Sequence, residues 1–465
     1  MMEVILKNNV RINNATKEVV DFCERNLVLK NPEYHKKRYM GYYTGSTPPF
    51  LVLYQSDGKD LLLPFGAWRS VFKKFEGQFT AKSEIAQMRK FDYRSNVKLY
   101  SYQQRMKDRI LKYKNGVIVM PCGSGKTQTA LDAVAEIGGK TLWLTHTKDL
   151  LQQSKKRAES CFDCDHKTFG TITDGKVQIG ESITFATVQT LSKMELADIR
   201  DSFDVIIVDE CQHCAGSPTK VTMFYKVLSQ LSARYKIGLT ATPKRADGLE
   251  KAMFALLGEM IGSVAQEEIE DRTCPVEIRL IKTDYEPLMN SSAFNYDGTV
   301  NYTGLIEDLT QNAPRFEQII KAINKLHATT IVLANRVSYL QRMQEQFIGR
   351  SVCLSGMKPT KENKAKRDSA LARLNAGEID CLFATYQLAK EGLDVPNLRY
   401  VVFATPEKDF TTVVQSVGRV ARKADGKEKG IVLDFVDKDF GMFKKYAGTR
   451  KGIYKKLGYT IKEKN

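Results

Sequence analysis

The chain has no run of about 18 apolar residues, so no segment reads as a membrane span. Its opening, MMEVILKNNVRINN, has no long apolar stretch behind a basic start, so no secretory leader is expected. Low-complexity tracts and short-period repeats are absent, which argues against fibrous and repeat architectures. The nine cysteines are odd in number and scattered. They read as reduced thiols in a reducing, cytoplasmic compartment, not as a disulfide framework. Acidic residues are in deficit: 54 Asp and Glu stand against 71 Lys and Arg, a net charge of +17. Such an excess favours a polyanionic partner, most simply nucleic acid; a solvated basic surface is the plainer alternative. The cations spread along the chain, with a concentration at Lys444, Lys445, Arg450, Lys451, Lys455, Lys456, Lys462 and Lys464.

A length of 465 residues suggests about three domains. Residues 1–95 read as an accessory α+β module. NATKEVVDFCERNLVL has a helical pattern with Thr16 as N-cap, and Asn31-Pro32 breaks it. FLVLY and LLLPFG flank Asp57-Gly58, the signature of a β-hairpin. Between them, Tyr34, His35, Lys36, Lys37, Arg38, Tyr39, Tyr42 and Tyr43 interleave aromatics with cations, a composition suited to nucleic acid. Core tyrosines beside surface lysines are an equally weighted reading.

Residues 96–283 alternate helical stretches with near-continuous apolar runs: VIVM, TLWLT, SITFAT, DVIIVD and YKIGLTA. Residues 284–465 carry a second such series: TIVLAN, SVCLS, DCLFAT, YVVFAT and GIVLDFV. Unalternating apolar strands belong in parallel sheets covered on both faces. The expected fold is therefore α/β, two tandem parallel-sheet domains behind a small N-terminal domain. The polar stretch YEPLMNSSAFNYDGTVNYTG marks the expected joint.

VIVM runs straight into Pro121, Cys122, Gly123, Ser124, Gly125, Lys126 and Thr127, and a helical pattern follows. Strand, glycine loop and helix form a phosphate cradle, with backbone N–H groups turned inward and a helix N-terminus facing the anion. Lys126 would neutralise ATP phosphates, and Thr127 would place its hydroxyl on Mg²⁺. The usual pattern wants a glycine where Met120 stands. DVIIVDECQH supplies carboxylates at the end of a buried strand. Asp209 would hold Mg²⁺, and Glu210 would orient the attacking water. Cys161, Cys164 and His166, like Cys211, His213 and Cys214, have spacings that suggest zinc. The second set lies within the ATP motif, and both read as unrelated thiols.

The ordered set PCGSGKT, VDECQH, LTATP, EGLDVP and QSVGRVAR resembles the superfamily 2 helicases and translocases across residues 96 to 436. That family uses a phosphate loop without the first glycine, which accounts for Met120. The resemblance implies two RecA-like domains and a set of roles. Gln103 would recognise adenine. Thr240, Ala241 and Thr242 would couple hydrolysis to strand movement, with His213 linking the acidic motif to them. Gly392 and Asp394 would lie near the ribose and γ-phosphate. Gln415, Arg419 and Arg422 fit the pattern Q-x-x-G-R-x-x-R. Their spacing predicts one helix face, and the arginines would reach across a cleft to the transferred phosphoryl. TKDLLQQS, ATVQTL and LSGMK resemble backbone-grip motifs, with Thr187 and Gln189 foremost. Arg245 and Asp247 match an Arg-Glu-Asp element of the XPB-like DNA repair helicases, although Ala246 replaces the glutamate. Length and the front module also resemble the phage branch-migration helicases. The expected protein is a monomeric, ATP- and Mg²⁺-dependent helicase acting on branched or forked DNA. The alternatives are a translocase or DNA-gated clamp without unwinding, and an RNA-directed helicase. No nuclease or methyltransferase signature accompanies the motor.

Overall fold

A computed structural model describes residues 1–464 apart from positions 89, 245–246, 289–290, 355–359 and 391–394. The chain forms two compact units, Met1–Ala265 and Gln266–Asn465.

The first unit opens with a five-stranded sheet built from β1 (Met2–Leu6), β2 (Asn9–Asn13), β5 (Gln55–Asp57), β6 (Asp60–Pro64) and β7 (Phe79–Ser83), in the order β5-β6-β2-β1-β7. A small pair, β3 (Val28–Lys30) and β4 (Phe50–Val52), stands apart from it. Along β1 and β2 burial alternates: Val4, Val10 and Ile12 are buried while Glu3 and Arg11 are exposed. One face of this sheet is therefore packed and the other solvated. The predicted hairpin at Gly58 is present, with Asp57 opposite Asp60, but its first strand is Gln55–Asp57. Phe50–Val52 pairs instead with Val28–Lys30. The predicted helix spans Lys17–Leu27, with Thr16 at its N-cap but without a side-chain cap bond. Asn31-Pro32 is a helix start: Asn31 caps Pro32–Tyr39.

This module shares a core with the larger sheet behind it, because Ala252 and Ala255 join the cluster of Val4, Ile12, Val19, Leu63 and Val71. Gly66 makes the approach possible. A Cβ there would lie 2.2 Å from Gly258 N. Buried Lys236 ties the two parts together, donating from Nζ to Asn8 O (3.3 Å) and Leu228 O (3.2 Å).

The larger sheet consists of β8 (Asn115–Val119), β9 (Thr141–Thr145), β10 (Gly170–Thr173), β11 (Lys176–Gln178), β12 (Ile183–Thr187), β13 (Val205–Asp209), β14 (Tyr235–Thr240) and β15 (Met260–Ser263). Their order is β11-β10-β12-β9-β13-β14-β8-β15, parallel except for the edge strand β11. Every residue of β9, β12 and β13 is buried, the expected result for strands covered on both faces.

The second unit is built on β16 (Val276–Thr283), β17 (Thr330–Ala334), β18 (Ser351–Leu354), β19 (Cys381–Thr385), β20 (Tyr400–Phe403), β21 (Gly430–Asp437) and β22 (Thr460–Lys464), in the all-parallel order β18-β19-β17-β20-β21-β16-β22. Alternate residues supply two cores. Ile331, Leu333 and Phe403 belong to one, and Val332, Phe383 and Val402 to the other.

The expected boundary at 283/284 is corrected to 265/266. β16 pairs along its whole length with β21 and so belongs to the second sheet. The polar stretch after it is packed rather than linking. Tyr285, Ala293, Leu305 and Leu309 form a small core with Phe443, and Tyr285 Oη donates to Asp308 Oδ2 at 2.6 Å. Arg450, one of the cations concentrated after position 443, is 1 % exposed. It forms a bidentate pair with Asp434 at 2.8 and 2.7 Å.

Candidate functional site

β8 ends at Val119, and buried Met120 donates its N–H to Thr240 O at 2.9 Å. Met120 is thus held by the neighbouring strand, and the loop begins after it. Ser124 Oγ folds back onto Pro121 O at 2.7 Å. Gly125 adopts φ +81° and N-caps the helix Lys126–Ile137. A side chain would be strained in that conformation, and its Cβ would lie 2.3 Å from Gln103 Nε2. Position 125 is glycine for both reasons. The helix start directs its first N–H groups and a positive dipole end at the loop. Thr127, half-buried, is its second residue.

Gln103 is buried against this loop. Its Oε1 accepts from Tyr100 N at 2.9 Å and its Nε2 donates to Ser124 O at 2.8 Å. The structure therefore shows it bracing the loop.

Asp209 ends β13 and is 5 % exposed. Its Oδ1 accepts from Glu210 N at 3.0 Å, and Ser154 Oγ lies 3.4 Å from Oδ2. Burial, then the neighbouring Glu210, pushes its carboxyl above the ordinary range, while Lys126 pulls the other way. Lys126 is thus electrostatically coupled to the acidic strand end. Glu210 follows in a left-handed conformation (φ +50°), which turns the chain into the short helix Cys211–His213.

That turn sets up a connection through Gln212, a residue to which the motif reading gave no role. Buried Gln212 donates from Nε2 to Glu210 Oε2 at 2.8 Å. Its Oε1 accepts from Thr240 Oγ1 at 2.7 Å, and Thr240 Oγ1 in turn accepts from Thr242 N at 2.9 Å. One amide thus satisfies a carboxylate and a hydroxyl together, each in its matching role. A link of the kind expected of His213 is thus made by Gln212. His213 lies against His146, with ring centroids 3.9 Å apart. Burial, then His213, lowers the His146 pKa to about 4, so the ring is neutral near pH 7. Nothing in the motif pattern singles out Gln212. The signal is the left-handed residue two positions earlier, which only the backbone reveals.

From His146 the contacts lead to a groove. Gln189 Nε2 donates to His146 O at 2.6 Å. Thr187 and Gln189 line a cavity of about 600 Å³ with His146, Lys148, Thr190 and Lys193. The two predicted grip residues are therefore brought together. Ser154, within TKDLLQQS, reaches from that motif to Asp209.

In the second unit, Gln415 and Arg419 lie on the helix Phe410–Val420, which Asp409 caps through Thr412 N at 2.8 Å. The prediction that Arg422 shares this helix face is corrected. The helix ends at Val420, and Arg422 forms a bridge with Thr273. Cys274 N bonds to Ala421 O at 2.8 Å, so the chain entering β16 ends the helix. Gly392, Asp394, Arg245 and residues 355–358 of LSGMK lie outside the described residues. Cys211 and Cys214 are buried among apolar side chains of the first unit. No cluster of three or more His, Cys, Asp or Glu able to hold a metal occurs among the described residues. No helix among them is long and apolar enough to cross a membrane.

Residues 96–245 match the family model described as type III restriction enzyme, res subunit, and residues 314–424 match the helicase conserved C-terminal domain. A protein of Acanthamoeba polyphaga mimivirus, named ATP-dependent RNA helicase L396, is 27 % identical over 435 residues, covering 88 % of this chain and 78 % of its own length. The DNA 3'-5' translocase XPB2 of Sulfurisphaera tokodaii is 25 % identical over 382 residues, covering 74 % and 83 %. Among solved structures, the fragment of an HsdR subunit of a type I restriction enzyme from Vibrio vulnificus superposes with a TM-score of 0.56 at 17 % identity, covering 80 % of this chain and 69 % of that one.

Proposed function

Because the chain belongs to the superfamily 2 helicases, which hydrolyse ATP, we propose that it is a DNA motor that remodels forks or four-way junctions by branch migration. Its setting is replication, recombination or repair in a bacterial or phage-infected cell. The observation that carries this reading is the continuity from groove to nucleotide loop. Gln189 holds the His146 backbone, the His146 ring lies against His213, and the adjoining Glu210–Gln212–Thr240 chain returns to the strand that fixes Met120. A polyanion in the groove touches the same short elements that orient the hydrolytic carboxylate. The net charge of +17 supports a phosphate-backbone partner.

In this mechanism Lys126 and the loop N–H groups bind the β- and γ-phosphates, and Gln103 keeps the loop in its cradle shape. Glu210, held by Gln212, orients the water. Asp209 and Thr127 offer hard oxygen donors that suit Mg²⁺, and the poorly compensated Asp209 carboxylate fits a cation there. These two residues would hold Mg²⁺, which supplies phosphate-charge neutralisation when bound. Arg419 and Arg422 are the proposed stabilisers of charge on the transferred phosphoryl. Thr187 and Gln189 are the proposed strand contacts.

RNA is the second reading, favoured by the name of the mimivirus relative. The test is ATP hydrolysis and strand displacement across a panel of fork, four-way junction, linear duplex and RNA duplex. Junction-selective displacement supports the proposal. Hydrolysis without displacement indicates a translocase or clamp, and preference for the RNA duplex overturns the DNA assignment.

A further inference from the structure

The accessory module carries an exposed surface outside the groove at Thr187 and Gln189. The helix Pro32–Tyr39 has no buried residue, yet its base is firmly built. Asn31 is fully buried. Its Oδ1 accepts from Glu33 N at 3.1 Å, its Nδ2 donates to Pro48 O at 2.7 Å, and its N–H donates to Pro49 O at 2.9 Å. Beyond the helix, Met40 N, Gly41 N and Tyr42 N close onto Lys36 O, Arg38 O and Lys37 O at 3.0, 3.2 and 2.8 Å. Lys37 Nζ then reaches across to Thr47 Oγ1 at 2.8 Å. The backbone is hydrogen-bonded, but the rings it presents are in solvent: Tyr39 is 92 % exposed, Tyr42 66 % and Tyr43 92 %. A group of exposed aromatics on a hydrogen-bonded turn, stabilising no core, is the kind of surface that serves interaction.

The surrounding charge identifies the occupant. Glu33, the carboxylate of this helix, is neutralised by Lys37 at 3.1 Å and Lys220 at 2.5 Å. Among the described residues, neither exposed Lys36 nor exposed Arg38 has an ion-pair partner. Flat rings beside uncommitted cations match bases beside phosphates. In a duplex the base faces already stack on one another, so only an unpaired strand offers faces to the tyrosines. We propose that Tyr39, Tyr42 and Tyr43, with Lys36 and Arg38, form a stacking platform for single-stranded nucleic acid, separate from the groove at Thr187 and Gln189. The platform would hold the strand that a junction motor releases, and it rests on the reading of the chain as a nucleic-acid motor.

The test uses the full chain with all three tyrosines replaced by alanine, a second variant with all three replaced by phenylalanine, and a third, Lys36→Ala with Arg38→Ala. Affinity for a fluorescent oligothymidylate and for a blunt duplex is read by anisotropy across a salt series. The alanine variant should weaken oligothymidylate binding by about tenfold or more, with duplex affinity changed by less than about twofold. The phenylalanine variant should bind as the parent does, because stacking needs the ring and not the hydroxyl. The cation variant should lower the salt slope by about one to two. ATP hydrolysis at saturating nucleic acid should be unchanged in all three. Parental affinity for oligothymidylate in the alanine variant overturns the platform, even where the parent shows nucleic-acid-stimulated hydrolysis, and would leave the tyrosines as a protein-docking surface. A parent whose hydrolysis responds to no nucleic acid refutes the motor reading instead, and with it the platform that rests on that reading.

Discussion

Replacing Gln212 by leucine keeps the side-chain volume and removes both ends of the bridge. Glu210 Oε2 loses a donor at 2.8 Å, and Thr240 Oγ1 loses an acceptor at 2.7 Å. A hydrogen bond to a charged group contributes about 1.5–3 kcal/mol and a neutral one about 0.5–1.5 kcal/mol. On the role proposed for Glu210, the carboxylate contact is the one that bears on chemistry, because it would set the direction in which Glu210 faces water. At about 1.4 kcal/mol per decade of rate, its loss lowers kcat about ten- to a hundredfold. KM for ATP should change little, since the phosphate loop and Lys126 keep their own contacts. Steady-state hydrolysis at saturating ATP reads the effect, with thermal unfolding as a check on folding. Thr240→Val should lower kcat less. The double variant should fall short of the product of the two effects, with a coupling of about 0.5–3 kcal/mol. A folded Gln212→Leu protein that hydrolyses ATP within about twofold of the parent refutes the bridge as a positioning device.

Three further outcomes follow from the surroundings of Lys236, Arg450 and Gly125. Burial lowers the Lys236 pKa from 10.5 to about 7. The unfolded chain therefore holds this proton more tightly than the folded one, and the first unit should gain stability as pH rises from about 7 to about 10.5, by at most about 5 kcal/mol. In Lys236→Met that slope should be absent from the first-unit melting transition, and an unchanged slope contradicts the assignment. Arg450→Met leaves Asp434 buried without its cation and should destabilise the second unit by about 3–5 kcal/mol in urea unfolding. Gly125→Ala must accept a left-handed backbone and displace Gln103. Nucleotide binding, read by a fluorescent ATP analogue, should weaken at least about tenfold, at the strain expected of a non-glycine residue there.

Much of the fold could be read from the chain, for a physical reason. Strands such as Thr141–Thr145 and Val205–Asp209 are buried on both faces, so their apolar character is unbroken and visible. The strands missed lack that character. β22 is TIKEK, a polar edge strand. β16, VEIRLIKT, mixes charges into the sheet because Glu277 is surrounded by Arg279, Lys429 and Lys462 at 2.6, 3.1 and 3.0 Å. Those cations, Arg279 first and then Lys462, hold its carboxyl down to about 2. Missing β16 is what displaced the expected boundary. The glycine loop between β8 and its helix, and the acidic end of β13, lie where the sequence placed them because both patterns are local. Gln212 and the end of the helix before Arg422 were not legible. The first depends on a left-handed turn at Glu210, and the second on a bridge to Thr273, distant in sequence.

The central claim is that Glu210, placed by the strand end beside the phosphate loop, performs the hydrolytic step that drives a nucleic-acid motor. Glu210→Gln keeps the side chain's size and removes its charge. The decisive measurement is the ATP turnover of this variant with and without junction DNA, alongside its affinity for that DNA. The account predicts that stimulated turnover is lost while DNA affinity stays within about threefold of the parent, because the groove contacts are untouched. Turnover at the parental rate would contradict it.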